Sequence, residues 1–493
     1  MSHLQEVLKP VECAGVECSD LACENVKGEV KMTYQEFKEA VIGIAVKMQI
    51  SDYELYYTES DATSVEIFKE EVKSYKTESG MGICFRCIVD GKAGYASTEN
   101  LTEEEAKSLV VRAFENAKSI ESNEQCFLHK KGDTYAVCEA NKAPAPTGAA
   151  LVDAAMEIQK EMYQADTRVV DGSQTNLGYG RERYALCNSN GLDLEDVVSC
   201  ASCYASALTS DGEEMYNGGK SKIGNLQEFD LKDIAKKAVE DAVSTIGAES
   251  VDSGKYTIVL SNEVMAVLLQ TYASVFSAEN AQKGLSLLQG KEGEKIAADF
   301  ITITDDPLYK DSVQKRTFDG EGVATYAKNV VENGTLTTLL HNLKTAAVAG
   351  VKSTGNGSKA SYASVVGVSP FIFYLHPAQD TMEEGHSMEE GHSMEERHSV
   401  DELLEQAKDG IYVTEVSGLH AGANPVTGDF SLLSKGFLIK EGKKSAPIKN
   451  FTMSGNFFTL LKEIEALGKD LEFLYGRYGA PSVLIRNIAI AGK

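Results

Sequence analysis

Four kinds of residue pattern in this chain have types and spacing that can do chemistry. The first is a pair of C-x-x-C motifs, Cys84-Phe-Arg-Cys87 and Cys200-Ala-Ser-Cys203. Two such pairs suggest zinc or thiol redox chemistry. Both fall in stretches patterned as strands, where residues three apart point to opposite faces. A zinc knuckle instead needs a tight turn between its cysteines, and the two pairs lie far beyond zinc-ribbon spacing. Structural thiols are the expectation, with metal or redox use as the alternatives. The second pattern is His386, His392 and His398, carried by a tandem repeat that begins Met382-Glu-Glu-Gly-His-Ser387. A six-residue step turns roughly 600° around a helix, so successive imidazoles do not share a face. Glu383, Glu384, Glu389 and Glu390 can add oxygen ligands to an adventitious Zn²⁺ or Ni²⁺ site. A solvated, acidic expansion is the expected reading.

The third pattern is acidic: Asp305-Asp306-Pro307 and Asp319-Gly-Glu321-Gly322. Paired carboxylates perform acid–base work, but beside Pro and Gly they also end strands and form turns. A scaffold role is expected. The fourth is glycine-rich: Ser353-Thr-Gly-Asn-Gly357 and the stretch from Gly418 to Phe430. Glycine lets backbone approach a ligand closely. Gly355, Asn356, Gly357, His420, Gly422, Asn424, Gly428 and Asp429 are therefore the candidates for lining a substrate or partner cavity. Their backbone can offer hydrogen bonds to an extended peptide, as in strand addition. His420 has no acid beside it, and no G-x-S-x-G elbow is present. No residue is assigned as catalytic.

Elements that position these groups are legible in outline. Helical spacing covers 34–49, with Phe37, Val41, Ile44 and Ala45 on one face. Strand patterning covers Tyr53–Thr58, Ser64–Ser74 and Gly82–Val89, and Asp90-Gly91 predicts a hairpin to 92–97. Thr102-x-x-Glu105 predicts a helix start. After a loop at Pro144-Ala-Pro146, a helix is expected over 148–164. Strands are expected over Thr167–Thr175, Gly178–Cys187 and Leu194–Thr209, with a turn at Asn190-Gly191. A third helix spans Asp230–Ile246, and 248–254 reads as a linker. The remainder is strand-rich, with short helices near 263–276, 343–350, 400–408 and 457–467, and a buried strand within 481–490. The fold class is α+β: N-terminal helix-and-sheet units, then a large, mainly antiparallel, β-rich C-terminal domain. The expected division is an extension over 1–33 holding Cys13, Cys18 and Cys23, domains over 34–120, 121–250 and 251–493, and a repeat insert at 382–399.

Length and composition are consistent with this. The chain has 493 residues, enough for two or three cores, and 25% charged residues. Its net charge of −26 argues against a nucleic-acid surface, which needs a basic patch. It slightly favours cationic peptide partners. No apolar run is long enough for a membrane helix, and no signal peptide is apparent at the N-terminus. A cytoplasmic protein with reduced thiols is expected.

Residues 256–357 carry Tyr-Thr-Ile-Val-Leu, Leu-Leu-Gln-Thr-Tyr-Ala-Ser-Val-Phe, Thr-Asp-Asp-Pro, Phe-Asp-Gly-Glu-Gly-Val and Ser-Thr-Gly-Asn-Gly in that order. This resembles the TldD/PmbA family (peptidase U62), whose older label is modulator of DNA gyrase. One branch is a zinc protease with His-Glu-x-x-x-His on the helix after the strand, and a third Cys ligand near the C-terminus. The matching positions here are Gln270, Thr271 and Val275, Gly476–Pro481 holds no Cys, and no cysteine follows Cys203. Gln, Thr and Val cannot supply zinc ligands and a base. His420-Ala-Gly-Ala-Asn-Pro-Val-Thr-Gly-Asp-Phe-Ser431 and Met453-Ser-Gly-Asn456 are similar to the PmbA (TldE) branch. The resemblance implies a chain inactive alone, with no cofactor of its own. Its partner would be a TldD-type metallopeptidase subunit carrying the zinc, in a heterodimer acting on peptides and small unfolded proteins. The alternative is a homodimeric peptide carrier or chaperone.

Overall fold

The computed structural model describes residues 31–121, 125–138, 144–378 and 399–493. Cys13, Cys18, Cys23 and the repeat with His386, His392 and His398 lie outside the described residues. The N-terminal half is built on one six-stranded antiparallel sheet. Its strands are β1 (Asp52–Phe68), β2 (Glu71–Val89), β3 (Lys92–Thr98), β4 (Gln174–Asn188), β5 (Asp193–Ser210) and β6 (Met215–Gly224), in the order β3-β2-β1-β4-β5-β6. β1 joins the two parts, pairing with β4 from Glu54–Asn188 to Phe68–Gln174.

Alternation along the strands decides what each face meets. Leu55, Tyr57, Val65 and Ile67 of β1 face one side, together with Phe85 and Cys87 of β2 and Cys203 and Ala205 of β5. Four helices bury that side. α1 (Tyr34–Lys47) and α2 (Glu103–Ser119) cover one half of it, and α3 (Gly148–Ala165) and α4 (Leu231–Ser244) the other. Each begins at a side-chain cap, on Thr33, Thr102, Thr147 and Asp230 respectively. The intervening residues, among them Tyr56 and Leu186, point the other way and pack on Phe318 of the C-terminal half.

That half opens with β7 (Gly254–Leu260), followed by α5 (Asn262–Tyr272) and α6 (Ala278–Gln282). A second sheet follows the order β10-β9-β8-β13-β19-β18. Its members are β8 (Ile303–Asp305), β9 (Lys328–Glu332), β10 (Thr335–Leu336), β13 (Phe373–Leu375), β18 (Glu472–Leu474) and β19 (Tyr478–Ala480). A small ribbon pairs β11 (Gly357–Ser358) with β12 (Gly367–Val368), beyond α7 (Leu343–Ala349). The third sheet runs β16-β15-β14-β7-β20-β17 and closes into a barrel through a β16–β20 pairing. Its strands are β14 (Gly410–Ser417), β15 (Asp429–Lys440), β16 (Lys443–Asn456), β17 (Ile464–Leu467) and β20 (Val483–Ala491). α8 (Ser399–Ala407) packs outside it on Val259, Ile439 and Leu484, and α9 (Leu419–Gly422) and α10 (Phe457–Glu463) flank its strand ends. Pairing in this half is mainly antiparallel, with parallel contacts at β7–β14 and β13–β19. No helix among the described residues is long and apolar enough to cross a membrane.

Several element boundaries differ from the sequence expectation. Ser64–Ser74 is not one strand. It holds the turn between β1 and β2, made by Lys69 and Glu70 at φ 53° and 57°. Left-handed backbone normally signals Gly or Asn, so this turn carries no sequence mark. Residues 167–173 form only isolated bridges, with Gly172 at φ 122°, and the strand starts at Gln174. β6 had no strand signature because it carries Gly218, Gly219 and Gly224. A Cβ at Gly218 would sit 2.1 Å from the Ala242 backbone nitrogen, so glycine is what lets α4 approach β6. The helix expected over 457–467 stops at Glu463, and Ile464 enters β17.

At Gly94 a Cβ would lie 2.0 Å from the Ala113 carbonyl oxygen of α2. Gly94→Ala should therefore lower stability by about 1–3 kcal/mol through overpacking, read as a shift in the urea midpoint. Gly180→Ala, where nothing lies within 4 Å, should stay within about 0.5 kcal/mol of the parent.

Candidate functional site

The positions that the resemblance sets against a zinc motif sit on α5 and the turn after it. Gln270 is exposed, the Thr271 hydroxyl donates to the Val267 carbonyl within its own helix (2.7 Å), and Val275 is buried in the core. An amide, an internally bonded hydroxyl and an isopropyl group do not fit a hydrolytic zinc ion. Among the described residues, no three His, Cys, Asp or Glu side chains converge as a metal-holding group.

The inward residue of this helix end is Tyr272. It is fully buried and stacks on Phe457 with ring centroids 4.5 Å apart. Its hydroxyl donates to the Asp429 carbonyl at 2.8 Å, and burial, then Asp429, push its pKa up to about 12. This bond anchors the loop before β15 to α5. Within that loop Asn424 accepts from the Val426 and Thr427 amides at 3.0 and 3.3 Å, and Gly428 (φ 84°) donates back to the Asn424 carbonyl at 2.8 Å. Asn456 donates to the Asp429 carboxylate at 2.9 Å, and with Thr427 holds its pKa below the usual value. His420, Asn424 and Asp429 are exposed at the surface of this loop, and Gly422 is half-buried.

Gly355, Asn356 and Gly357 lie elsewhere, beneath the contact between the two halves. Asn356 is fully buried. Its amide donates to Asp305 at 2.7 Å and to the Ser369 carbonyl at 3.1 Å, and its oxygen accepts from Lys328 and Thr354 at 3.2 and 2.8 Å. Asp305 also accepts from the Phe371 amide at 2.8 Å. The Gly357 amide donates to Asp319 at 2.7 Å, and its carbonyl accepts from Gly320 at 2.7 Å. The other Asp319 oxygen accepts from the Glu321 and Val323 amides at 2.8 and 3.0 Å. Asp305 and Asp319 therefore hold backbone in place. The two glycine-rich segments are not joined by a backbone hydrogen bond among the described residues.

Glu321 differs from its neighbours. It is buried and accepts from the Leu343 amide at 2.7 Å. Nearby, Arg86 and Glu54 form a buried ion pair at 2.8 Å on the sheet face opposite the helices. Burial works against the Arg86 charge, but Glu54 and Tyr95 outweigh it and raise its pKa. Burial, and then the Asp319 carboxylate, push Glu321 up to about 8, while burial lifts Asp319 to about 6 against its three amide donors. The pair thus keeps a proton near neutral pH.

The C-x-x-C cysteines split across the sheet as strand alternation requires. Cys87 and Cys203 enter the cores beneath the helices, while Cys84 and Cys200 take the opposite side. Cys84, Cys87, Cys138, Cys187, Cys200 and Cys203 are free thiols. Cys200 lines a cavity of about 380 Å³ on that side, together with Tyr56, Tyr184, Gln314, Arg316, Lys359 and Arg477. Of the residues singled out in the sequence as cavity-lining, Gly357 reaches it. The side chains around it come from segments far apart in the chain and form no motif.

Three family models match the chain. They are described as PmbA/TldA metallopeptidase domain 1, central domain and C-terminal domain, over residues 53–117, 141–246 and 253–492. An uncharacterized protein of Methanocaldococcus jannaschii is 30% identical over 438 residues, spanning 88% of this chain and 95% of that relative. A Haemophilus influenzae protein named metalloprotease PmbA homolog is 24% identical over 483 residues, spanning 95% and 99%. The fold is similar to a Thermotoga maritima protein described as a candidate modulator of a DNA gyrase, with TM-score 0.83, 28% identity and coverage of 93% and 100%. TldE from Thermococcus kodakarensis matches with TM-score 0.82, 22% identity and coverage of 92% and 100%, a likeness of fold alone.

Two substitutions test this geometry. A carboxyl group whose pKa is raised by folding binds a proton that the unfolded chain has released. Its contribution is full below about pH 4.5 and is lost as pH rises through about 8. Glu321→Gln keeps an oxygen for the Leu343 amide. It should flatten the stability–pH profile across that window and raise stability at pH 8 by on the order of 2 kcal/mol, less than the whole shift because Asp319 takes over the shared proton. Chemical denaturation at a series of pH values reads both effects. Tyr272→Phe should cost about 1 kcal/mol and speed amide hydrogen exchange in 424–429, without altering exchange in β1–β6.

Proposed function

Because the chain belongs to the PmbA/TldA metallopeptidase family, we propose that it is the non-catalytic, PmbA-type subunit of a two-chain metalloprotease acting on peptides and small unfolded proteins. The observation that carries this reading is the donor set on α5. Where a hydrolytic helix needs two imidazoles and a carboxylate, this chain has Gln270, Thr271 and Val275. Val275 is buried in the core, so even its position is committed to packing. The zinc and the metal-activated water belong, on this proposal, to a TldD-type partner. This chain contributes wall and binding surface, and the loop at 420–429, anchored to α5 by Tyr272, is the stretch assigned to the partner side. The free thiols and acidic composition fit a reducing cytoplasm.

The test is purification of the chain alone and with a TldD-type subunit, followed by peptide cleavage with and without chelator and by zinc analysis. The expected result is negligible cleavage and sub-stoichiometric zinc for the chain alone, with chelator-sensitive activity appearing in the pair. Strong chelator-sensitive cleavage by the single chain would reject the proposal. A stable homodimer that binds peptides and ignores the partner would favour the carrier reading instead.

A further inference from the structure

The cavity between the N-terminal sheet and the C-terminal half has a charge balance opposite to that of the whole chain. The protein carries a net charge of −26, yet this cavity is lined by Arg316, Lys359 and Arg477 against the single carboxylate of Glu182. Of the three cations only Arg316 has a carboxylate within 4 Å among the described residues, and that contact is long. Arg477 spends its Nε and Nη2 donors on the backbone carbonyls of Phe371 and Pro370, at 3.1 and 3.0 Å. Arg316 lies over Tyr184, its Cζ 3.6 Å from the ring centroid. Its Nε is 3.9 Å from Asp196, whose oxygens already accept from the amide and hydroxyl of Thr317 at 2.7 Å. Lys359 Nζ sits 4.9 Å over the Tyr56 ring, and among the described residues no carboxylate lies within ion-pair distance of it. Burial draws its pKa down against the opposing pull of Cys84, Glu54 and Glu321.

Arg316 Nε and Gln314 Oε1 have no hydrogen-bond partner, but both atoms are shielded from the cavity, and Gln314 Oε1 lies on the side of Gly476. The ligand is described instead by the groups that line the space: an anion for the cations and an apolar group for the aromatic wall. A phosphate or sulfate offers only the first. A peptide C-terminus offers both, as a carboxylate and its terminal side chain. Tyr56, Tyr184 and Phe371 supply an apolar wall for the terminal side chain, and the volume of about 380 Å³ falls within the range of small-ligand sites.

We infer that this cavity binds the free C-terminal carboxylate of a short peptide, with Arg316, Lys359 and Arg477 receiving the anion and Tyr56, Tyr184 and Phe371 the terminal side chain. The peptide class rests on the function proposed above; the cation-lined pocket does not. The experiment is isothermal titration of the full chain, without partner, with the tetrapeptide Gly-Gly-Ala-Phe as the free acid, as the C-terminal amide, and with inorganic phosphate. The free acid should bind, and the amide should bind at least about tenfold more weakly, as expected for loss of a charge-assisted contact. Lys359→Met and Arg477→Gln, checked for unchanged circular dichroism, should each weaken the free acid by a similar factor. Equal binding of acid and amide overturns the inference, as does absence of binding by either form. Phosphate binding tighter than the free acid assigns the site to an inorganic anion and also overturns it. The amide comparison uses the unaltered protein, so it stands even if a variant fails to fold. Discrimination of acid from amide by a chain that shows no dependence on a metallopeptidase partner would sink the proposed function while leaving this site in place.

Discussion

Burial of the N-terminal sheet on both faces around Glu54 and Tyr56 is the constraint on which the rest of the structure depends. Each strand sends alternate residues to opposite faces. Along β1 one set, Leu55, Tyr57, Val65 and Ile67, is apolar and meets the four helices. The other set includes Glu54 and Tyr56, which are equally buried but meet the C-terminal half. A sheet covered on one side by helices can leave its other side wet. This one does so around Ala62, Ser64, Ser202 and Tyr204, but it is covered around Glu54, Tyr56, Cys84, Arg86 and Leu186. The buried contact between the halves therefore has to be met by hydrogen bonds and an ion pair as well as by the small Tyr56, Leu186, Leu192 and Phe318 cluster.

That requirement explains where the carboxylates go. Asp305 accepts from Asn356, Lys328 and the Phe371 amide, and Asp319 from the amides of Glu321, Val323 and Gly357. A buried carboxylate is tolerable when its lone pairs are filled. The same two loops place glycines where no side chain fits. Gly322, at φ 80°, would drive a Cβ to 2.8 Å from Leu192, and Gly355, at φ 68°, to 2.7 Å from the Ala324 carbonyl. The Asp-Gly-Glu-Gly and Thr-Gly-Asn-Gly stretches are thus one interlocked joint. Glu321, left with one amide donor and the Asp319 charge beside it, is the member of that joint that holds its proton.

The C-terminal half has a different economy. α5 belongs to the same hydrophobic cluster as the barrel interior, and its apolar residues Val264, Met265, Leu268, Leu269 and Tyr272 are all buried. Packing of that density leaves little room for a hydrolytic centre at the helix end. The phenol of Tyr272 instead fixes the loop before β15. The metal-motif positions and the exposed 420–429 loop are linked through structure, whereas the cation-lined cavity belongs to the joint between halves.

Much of this was legible in the residues. Periodicity marked α1, α2, α3 and α4 to within a few positions, because a helix needs only its own i, i+3 and i+4 neighbours to reveal its buried stripe. Asp90-Gly91 marked its hairpin for the same local reason, while Lys69-Glu70 takes the same left-handed backbone with no residue type to announce it. The donor atoms missing at Gln270, Thr271 and Val275 are a fact of composition that no fold can change. Register and juxtaposition are not local. The chain could not show that β1 pairs β4 across more than a hundred residues, that Asp319 would reach Gly357, or that Arg316, Lys359 and Arg477 would share one cavity. Sequence determined which donor atoms stand at Gln270, Thr271 and Val275. Only the tertiary structure decided which of its charges lie together, because burial and distance are set by packing between segments that the chain order keeps apart.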